Sequence, residues 1–314
     1  MLPFIEKYKP KKIKDLILND IVKIQFETYI ENKEIPNLIL TGDTGVGKTS
    51  SIHCLIRNIY HRENINDMIF EIKSTEGIDI QKPLTTFCKN LVISKEGYSK
   101  KKLVIIDESD NLLDKTKRLI SSYYSKYENV SFVLTCNNLN NIIESMQSRS
   151  TVFSLDDINK DKVLDKMKYI CENENIKYDM ESLKYLYKIS NNDIRKMINN
   201  LEVLNYSGKE INIEKVNECF GIPSNFMFDK LLEYIKNKDI NNITLIIKNF
   251  NDEGYYATDI MTYFIQYITF KELENNDYKM KIINHISKTL FEISDLSINN
   301  YLQLSSCIYE LLDI

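Results

Sequence analysis

The segment GDTGVGKT at residues 42–49 constrains the fold of this chain more than any other. It fits the pattern G-x-x-x-x-G-K-[ST], with Gly42, Gly47, Lys48 and Thr49 at the defining positions. Three of the eight glycines in the chain fall inside this segment. The apolar run LIL precedes it and the helical pattern TSSIHCLIRNIY follows it. A strand, a glycine-rich loop and a helix in this order predict a phosphate-binding loop, whereas a chance glycine turn would not require these neighbours.

This loop predicts a site for ATP and Mg²⁺. Its backbone N–H groups would point inward at phosphate oxygens, beside the positive end of the following helix dipole. The Lys48 ammonium would reach the β- and γ-phosphates, and the Thr49 hydroxyl would bind Mg²⁺. The predicted nucleotide-binding residues of the loop are Gly42, Asp43, Thr44, Gly45, Val46, Gly47, Lys48, Thr49 and Ser50.

A pair of acids follows the apolar run LVII, at the end of a second predicted strand. Asp107 would hold Mg²⁺ through water, and Glu108 would orient or deprotonate the attacking water. An exposed acidic turn after a buried strand is the alternative interpretation. The phosphate-binding loop upstream favours the hydrolytic role.

The pattern of the whole chain predicts an α/β fold followed by helices. Four apolar runs alternate with helical patterns in the first half, namely NLILTG, MIFEIKS, KKLVIIDESD and NVSFVLTCNN. This alternation favours a parallel sheet with crossover helices. Helical periodicity replaces the strands after about residue 155, and the segment CFGIPS interrupts it. We therefore predict an α/β domain over residues 1–155, a helical domain over 156–222 and an all-α domain over 223–314.

Composition sets broad limits on the class of protein. The 41 basic and 45 acidic residues give a net charge of −4, which neither indicates nucleic-acid binding nor excludes it. Six cysteines without a CxxC pair, and only three histidines, argue against a zinc site and for a reducing compartment. No apolar run approaches twenty residues, and the first residues have no secretory pattern. We expect a soluble intracellular protein without a membrane partner.

The order of several short motifs resembles the small subunits of replication factor C. These clamp-loader subunits of eukaryotes, archaea and large DNA viruses are AAA+ ATPases. The motifs are PFIEKYKPKKIKDLI, the phosphate-binding loop, DESD, LTCN, SRS and NDIR, and the later segments EGYYATDIM and YLQLSSCIYEL look like parts of the family's collar domain. The resemblance implies that the three predicted domains are an AAA+ ATP-binding domain, a helical lid and a helical collar used for oligomerisation.

The resemblance also implies roles for three polar residues. Asn137 in LTCN matches the sensor-1 position, which would bond the γ-phosphate or the attacking water. Arg149 in SRS matches the arginine that would reach the ATP of a neighbouring subunit. Arg195 in NDIR matches sensor 2, which would contact the γ-phosphate from the lid. Without the family, Asn137 would be interpreted as a turn former and Arg149 as a surface arginine.

The N-terminal EKYKP segment resembles the family's EKYRP. The resemblance implies that Tyr8 and Pro10 lie beside the adenine. Lys9 stands where the family has an arginine, so a planar or bidentate contact of that arginine would not be kept.

For DNA, the resemblance implies contacts from the segment STEGIDIQKPL and from the next helix. Ile78 would approach the DNA backbone and Lys82 would bind one of its phosphates. Lys115, Lys117 and Arg118 in KTKR would add positive charge on the next helix. Contacts of this kind read no base sequence and weaken steeply with salt. A solvated helix face is the alternative for KTKR. The segment FCKNLVI is a candidate contact for the clamp.

Together these features predict an ATP-dependent clamp-loader subunit acting in DNA replication. It would assemble with other replication factor C subunits into a hetero-pentamer, and load a PCNA-like sliding clamp onto primer–template DNA. The expected location is the nucleus, or the cytoplasm or a viral factory for a viral protein. Three alternatives are a homohexameric branch-migration helicase, a structural subunit that binds nucleotide without hydrolysing it, and a P-loop metabolic kinase. The EKYKP opening favours the clamp loader over the helicase. The presence of Glu108, Asn137 and Arg149 argues against a subunit that does not hydrolyse ATP, and the all-helical second half offers no evident acceptor pocket for a kinase.

Overall fold

The computed structural model describes residues 2–61, 65–73, 81–90, 92, 97–156, 158–208, 210–271, 276–296 and 301–313. The chain divides into two compact units, Met1–Glu210 and Ile211–Ile314. The finer division into three domains remains a prediction.

A five-stranded sheet forms the centre of the first unit. All neighbouring strands are parallel, in the order β2-β3-β4-β1-β5. The four predicted strands are present, and a fifth was missed because its four residues TVFS are mostly exposed at the edge of the sheet. The strands are β1 (Leu38–Thr41), β2 (Ile69–Lys73), β3 (Lys102–Asp107), β4 (Val130–Cys136) and β5 (Thr151–Ser154).

Both faces of this sheet are buried. Leu38 and Leu40 lie in one hydrophobic cluster, and Ile39 lies in the other. Successive strand residues point to opposite faces, so continuous apolar runs such as LIL and LVII serve two layers at once. The helices that accompany the sheet are α1 (Phe4–Lys7), α2 (Asp20–Asn32), α3 (Lys48–Ile59), α4 (Ile65–Met68), α5 (Gln81–Lys89), α6 (Asp114–Lys126) and α7 (Glu144–Gln147).

Three further helices complete the first unit, in the segments where amphipathic patterns predicted them. Asn191 and Asn192 adopt left-handed backbone angles before the last of these helices, with φ of 49° and 63°. Asparagine tolerates this conformation better than most residues, so the turn is possible without glycine. Asp193 then caps the helix by accepting a 2.8 Å hydrogen bond from the Lys196 N–H. The helices are α8 (Lys160–Asn173), α9 (Met180–Ile189) and α10 (Ile194–Tyr206).

The described elements of the second unit, from Ile213 onward, are all helices, as predicted. Phe228 and Phe250 are buried at its centre, and Phe228 stacks on Phe264 with ring centroids 5.4 Å apart. Within the described part of the chain, no helix is both long and apolar enough to cross a membrane. The helices are α11 (Ile213–Phe220), α12 (Asn225–Lys236), α13 (Ile240–Asp252), α14 (Ala257–Phe270), α15 (Asn276–Leu296) and α16 (Tyr301–Glu310).

Candidate nucleotide-binding site

The strand order brings the residues predicted to bind and hydrolyse ATP to one edge of the sheet. Because the strands are parallel, their carboxyl ends meet at the same edge. The loop of residues 42–47 follows β1, Asp107 ends β3, and Asn137 follows β4. Strand β4 lies between β1 and β3, so Asn137 comes between the loop and Asp107.

The loop needs glycine at two positions because carboxylates press against its backbone. A Cβ atom at Gly45 would lie 1.8 Å from Oδ1 of Asp193, and φ at this position is 74°. A Cβ atom at Gly42 would lie 2.8 Å from Oδ1 of Asp156. Oδ1 of Asp156 also accepts a 2.6 Å hydrogen bond from the Asp43 N–H. The loop is therefore held against the end of β5 and the start of α10.

The side chain of Lys48, the first residue of α3, reaches back into the loop. Its ammonium donates hydrogen bonds to the carbonyl of Gly42 at 2.7 Å, the carbonyl of Asp43 at 2.8 Å and Oδ1 of Asn137 at 2.7 Å. Partial burial lowers the pKa of Lys48, and the nearby carboxylate of Asp110 opposes this shift. These acceptors are oxygen atoms, as phosphate oxygens are, so the lysine is positioned to exchange them for an anionic ligand.

Thr49 and Asp107 form a donor set that fits Mg²⁺. The Thr49 hydroxyl lies 3.1 and 3.2 Å from the two carboxylate oxygens of Asp107. Mg²⁺ is commonly bound by one or two carboxylates together with substrate phosphates and water. A hydroxyl and a carboxylate beside a phosphate-binding loop meet that description. Among the described residues, no cluster of three or more His, Cys, Asp or Glu side chains forms a separate metal centre.

Thr135 holds the acidic pair in place. Its buried hydroxyl donates to Oδ1 of Asp107 at 2.5 Å and accepts a 2.9 Å hydrogen bond from the Glu108 N–H. Glu108 is exposed and has left-handed backbone angles, φ 52° and ψ 46°. Such angles are uncommon for a residue other than glycine, asparagine or aspartate. The bond to Thr135 thus fixes the direction in which Glu108 leaves the strand.

These residues share one cleft of about 490 Å³ in the first unit. This volume is within the range of small-molecule sites. Arg195, in the first turn of α10, lines the cleft together with Ile194 and Ile198. The other predicted residues that line it are Tyr8, Pro10, Thr44, Gly45, Val46, Gly47, Lys48, Thr49, Ser50, Asp107, Glu108 and Asn137.

The N-terminal segment forms one wall of the cleft. The Tyr8 hydroxyl donates to Oε1 of Glu174, and the Lys7 ammonium lies 2.5 Å from the same oxygen. Burial and the bond to Glu174 raise the pKa of Tyr8, so its hydroxyl stays protonated. The Cys54 thiol, on α3, donates a 3.4 Å hydrogen bond to the Pro10 carbonyl. These contacts attach the EKYKP segment both to the end of α8 and to the helix that follows the loop.

Arg149 lies outside the nucleotide cleft of its own chain. It is exposed after α7, its guanidinium donates to the Ser125 hydroxyl, and it is not among the described residues that line the cleft. The motif SRS suggested Arg149 for the ATP of a neighbouring subunit and not for the cleft of its own chain, and this role stays a prediction. This position is compatible with a contact to another subunit.

The predicted DNA residues have mixed positions. Lys82 is exposed in the first turn of α5, and Lys115 and Arg118 are exposed on α6. The expectation that Lys117 adds surface charge is wrong, since it is 7% exposed and its ammonium donates to the Asp110 carbonyl at 3.1 Å. Ile78 lies outside the described residues, as does part of the segment FCKNLVI.

Sequence reasoning missed several residues of this site. Thr135 and Asp110 lie inside motifs already noted, and a polar residue in an otherwise apolar strand was a signal for Thr135. Asp110 accepts hydrogen bonds from the N–H groups of Asn137 and Asn138 at 3.0 and 3.3 Å. Asp156 was missed with the strand that precedes it. His53 also lines the cleft, and burial lowers its pKa.

Comparisons with known proteins extend the resemblance over nearly the whole chain. Residues 223–310 match the replication factor C C-terminal domain family. A putative replication factor C small subunit of Acanthamoeba polyphaga mimivirus is 28% identical over 315 residues, or 99% of this chain and 97% of that protein. The replication factor C small subunit of Saccharolobus solfataricus is 27% identical, covering 96% of this chain and 91% of that protein. Human replication factor C subunit 5 is 27% identical, covering 98% and 90%.

Among solved structures, the RuvB Holliday junction branch migration motor of Thermotoga maritima has a similar fold. The TM-score is 0.55 at 15% identity, covering 76% of this chain and 84% of that one. The parallel sheet with its helices, and the helical C-terminal family match, confirm the predicted α/β AAA+ architecture. The chain thus has an AAA+ fold and, over nearly its whole length, is similar to replication factor C small subunits.

Proposed function

We propose that this chain is an ATP-hydrolysing subunit of a clamp loader that places a ring-shaped sliding clamp on primer–template DNA. The observation that carries the proposal is the convergence of Lys48, Thr49, Asp107 and Asn137 in one cleft. This set is what phosphoryl transfer from a nucleotide requires, namely phosphate binding, a metal ligand and a polar group near the terminal phosphate. Similarity to replication factor C subunits supports the coupling of this chemistry to DNA replication.

The residues divide the work of hydrolysis among them. Lys48 and the N-terminus of α3 would hold the phosphates, while Thr49 and Asp107 would hold Mg²⁺. The metal, when bound, neutralises charge on the β- and γ-phosphate oxygens. Glu108 orients the attacking water or accepts its proton, from the direction that Thr135 sets.

Arg149 and Arg195 connect this chemistry to conformation. Arg195 contacts the γ-phosphate from α10, so the position of this helix depends on the nucleotide. Arg149 serves the ATP of the neighbouring subunit, because a guanidinium neutralises charge that develops on the transferred phosphoryl group. ATP binding then closes the subunit interfaces around an opened clamp, and hydrolysis releases the clamp on DNA. The proposed setting is a hetero-pentamer with other replication factor C subunits, a PCNA-like clamp, and the nucleus or a viral factory.

The composition of the native complex tests this proposal. A tagged chain, recovered from its own cell or infected host, is expected in a complex of related AAA+ subunits, one of them larger. Its ATPase activity should rise when a sliding clamp and primer–template DNA are added together. The likeness to RuvB makes a homohexameric DNA motor the second candidate. A homohexamer whose ATPase responds to branched DNA but not to a clamp would overturn the proposal.

A mixing experiment tests the assignment of Arg149. In a complex where only this chain carries Arg149→Ala, its own cleft should bind ATP normally and hydrolysis at the neighbouring cleft should fall. Arg57→Ala, at an exposed position on α3, is the matched control. Loss of nucleotide binding in the isolated Arg149→Ala chain would contradict the assignment.

A further inference from the structure

Lysines make up half of the residues that line a second cavity in the first unit. It encloses about 690 Å³ and lies beside the nucleotide cleft, because Tyr8, Lys9 and Pro10 line both. We call it the lysine groove. Its charged lining residues are Lys7, Lys9, Lys11, Lys14, Lys23, Lys162 and Lys166, with Asp15 and Asp165 as the acids.

Most of the positive charge in this groove is not neutralised. Lys7 pairs with Glu174 and Lys162 pairs with Asp20. The remaining five form no ion pair with any residue that the structure describes, and they are Lys9, Lys11, Lys14, Lys23 and Lys166.

Neither acid of the groove forms an ion pair with one of the groove lysines. Asp15 accepts hydrogen bonds from the N–H groups of Lys11 and Lys12, and Asp165 pairs with Lys168. The chain as a whole carries a net charge of −4, so this concentration of lysines is local. Lysines dispersed on a convex, solvated surface are common, but here they surround a concavity, which focuses their potential on a ligand.

An exposed aromatic ring lies among these lysines. Tyr169, on α8, is 54% exposed and packs edge-to-face against Tyr8, with ring centroids 6.3 Å apart. The ammonium of Lys166 lies 5.4 Å from the centre of the Tyr169 ring. A cationic groove that carries an aromatic ring is the arrangement with which proteins bind single strands, phosphates by lysine and bases by stacking. An acidic peptide would use the charges but would not require the ring.

We propose that the lysine groove binds single-stranded nucleic acid, with phosphates on the lysines and a base stacked on Tyr169. Lysine contacts phosphate as a mobile point charge, so such binding needs no fixed base sequence. The site is separate from Lys82, Lys115 and Arg118. The inference rests on the proposed function in one respect, namely that the natural ligand would be single-stranded template DNA. Since Tyr8 and Lys9 line both cavities, a strand bound in the groove would lie directly beside the nucleotide cleft.

Oligo-dT binding to the full chain at several salt concentrations tests the lysines. The variant Lys11→Gln/Lys14→Gln/Lys23→Gln changes only groove residues that do not line the nucleotide cleft. The slope of log K against log salt should become shallower by about 2, at roughly 0.7 for each lost phosphate contact to a single strand. The matched control changes three exposed lysines elsewhere, as Lys184→Gln/Lys236→Gln/Lys248→Gln, and should keep the wild-type slope. Equal losses in both variants would mean diffuse attraction and overturn the proposal.

Tyr169→Leu separates a nucleic acid from other polyanions. It should lower the affinity for oligo-dT about fivefold or more, the effect of one lost base–aromatic stack. Affinity for inorganic polyphosphate, which has phosphates but no bases, should stay the same. Equal losses for both probes, or poly-glutamate competing as well as oligo-dT, would overturn the proposal. Failure of clamp and primer–template DNA to stimulate the ATPase, with oligo-dT binding intact, would remove the proposed function and leave the groove.

Discussion

The ammonium of Lys48 donates a 2.7 Å hydrogen bond to Oδ1 of Asn137, which joins the loop after β1 to the end of β4. The Asn137 backbone is held in turn, because its N–H donates to the Asp110 carboxylate at 3.0 Å. The lysine that would bind phosphate and the amide that would sense it are therefore in direct contact.

Asn137→Asp should separate ATP binding from ADP binding. The new carboxylate keeps a partner for Lys48 but adds negative charge where the γ-phosphate would lie. At a separation near 4 Å this repulsion amounts to about 1–4 kcal/mol, so ATP affinity should fall about tenfold relative to ADP affinity. Titration with fluorescent ATP and ADP analogues measures the ratio. Asn137→Ala, which adds no charge, is the control, and equal losses of ATP and ADP would show that Asn137 is far from the terminal phosphate.

Thr135→Val should impair hydrolysis more than nucleotide binding. Valine keeps the shape of threonine but cannot bond Asp107 or the Glu108 N–H. The buried position implies a loss of about 1–3 kcal/mol in the free energy of unfolding. Turnover should fall at least tenfold at saturating ATP and Mg²⁺, since Glu108 loses its fixed direction. Steady-state hydrolysis with ATP and Mg²⁺ titrations measures turnover and binding, and urea unfolding measures the loss of stability.

Thr135→Ser controls for packing at this position. Serine keeps the hydroxyl and removes only a methyl group, so turnover should stay near that of the wild type. If Thr135→Ser lost as much turnover as Thr135→Val, packing rather than the hydrogen bonds would explain the defect.

Short sequence patterns were enough to predict most of the fold and most of the candidate site. The strand–loop–helix around Lys48 and the acids after β3 have short-range signals, since their chemistry requires neighbours in sequence. The edge strand β5 had none, because four mostly exposed residues do not form an apolar run. Asp156 and Asp193 press on the loop from residues more than a hundred positions away, and only the tertiary structure reveals such contacts.

Glu174 should make the stability of the N-terminal wall depend on pH. Hydrogen bonds from Lys7 and Tyr8 lower the pKa of Glu174 below its ordinary value of 4.5. A lowered pKa in the folded state means that its contribution is complete above the unfolded pKa, and is lost as pH falls through the folded pKa. Glu174→Gln should therefore be less stable than the wild type at pH 7, and the gap should close below about pH 4.5.

Urea unfolding at pH 7, 5, 4 and 3 measures this gap. The Glu174 side chain is only 9% exposed, so solvent does not simply replace its partners. Glu172→Gln, at an exposed position two residues earlier in the last turn of α8, is the control, and should show no such closing gap. A difference between wild type and Glu174→Gln that stayed constant from pH 7 to 3 would show that the carboxylate charge contributes nothing.

Gly45→Ala and Gly47→Ala form a matched pair that tests how the loop is coupled to α10. Both positions have positive φ, so alanine should cost about 1–2 kcal/mol of folding free energy at either one. Only the Gly45 methyl meets Asp193, whose carboxylate caps α10 through the Lys196 N–H. A Cβ atom at Gly47 has no neighbour within 4 Å. Gly45→Ala should therefore be the more destabilising of the two in the nucleotide-free protein.

A double-mutant cycle with Asp193→Ala isolates that contact. Asp193→Ala alone should cost about 1 kcal/mol through the lost cap. Combined with Gly45→Ala it should cost less than the sum of the single changes, by about 1 kcal/mol, because the clash and the cap involve the same carboxylate. Combined with Gly47→Ala it should be additive. Additivity in both cycles, measured by urea unfolding, would mean that the loop and α10 are not coupled through Asp193, and that Arg195 is not held in place by this route.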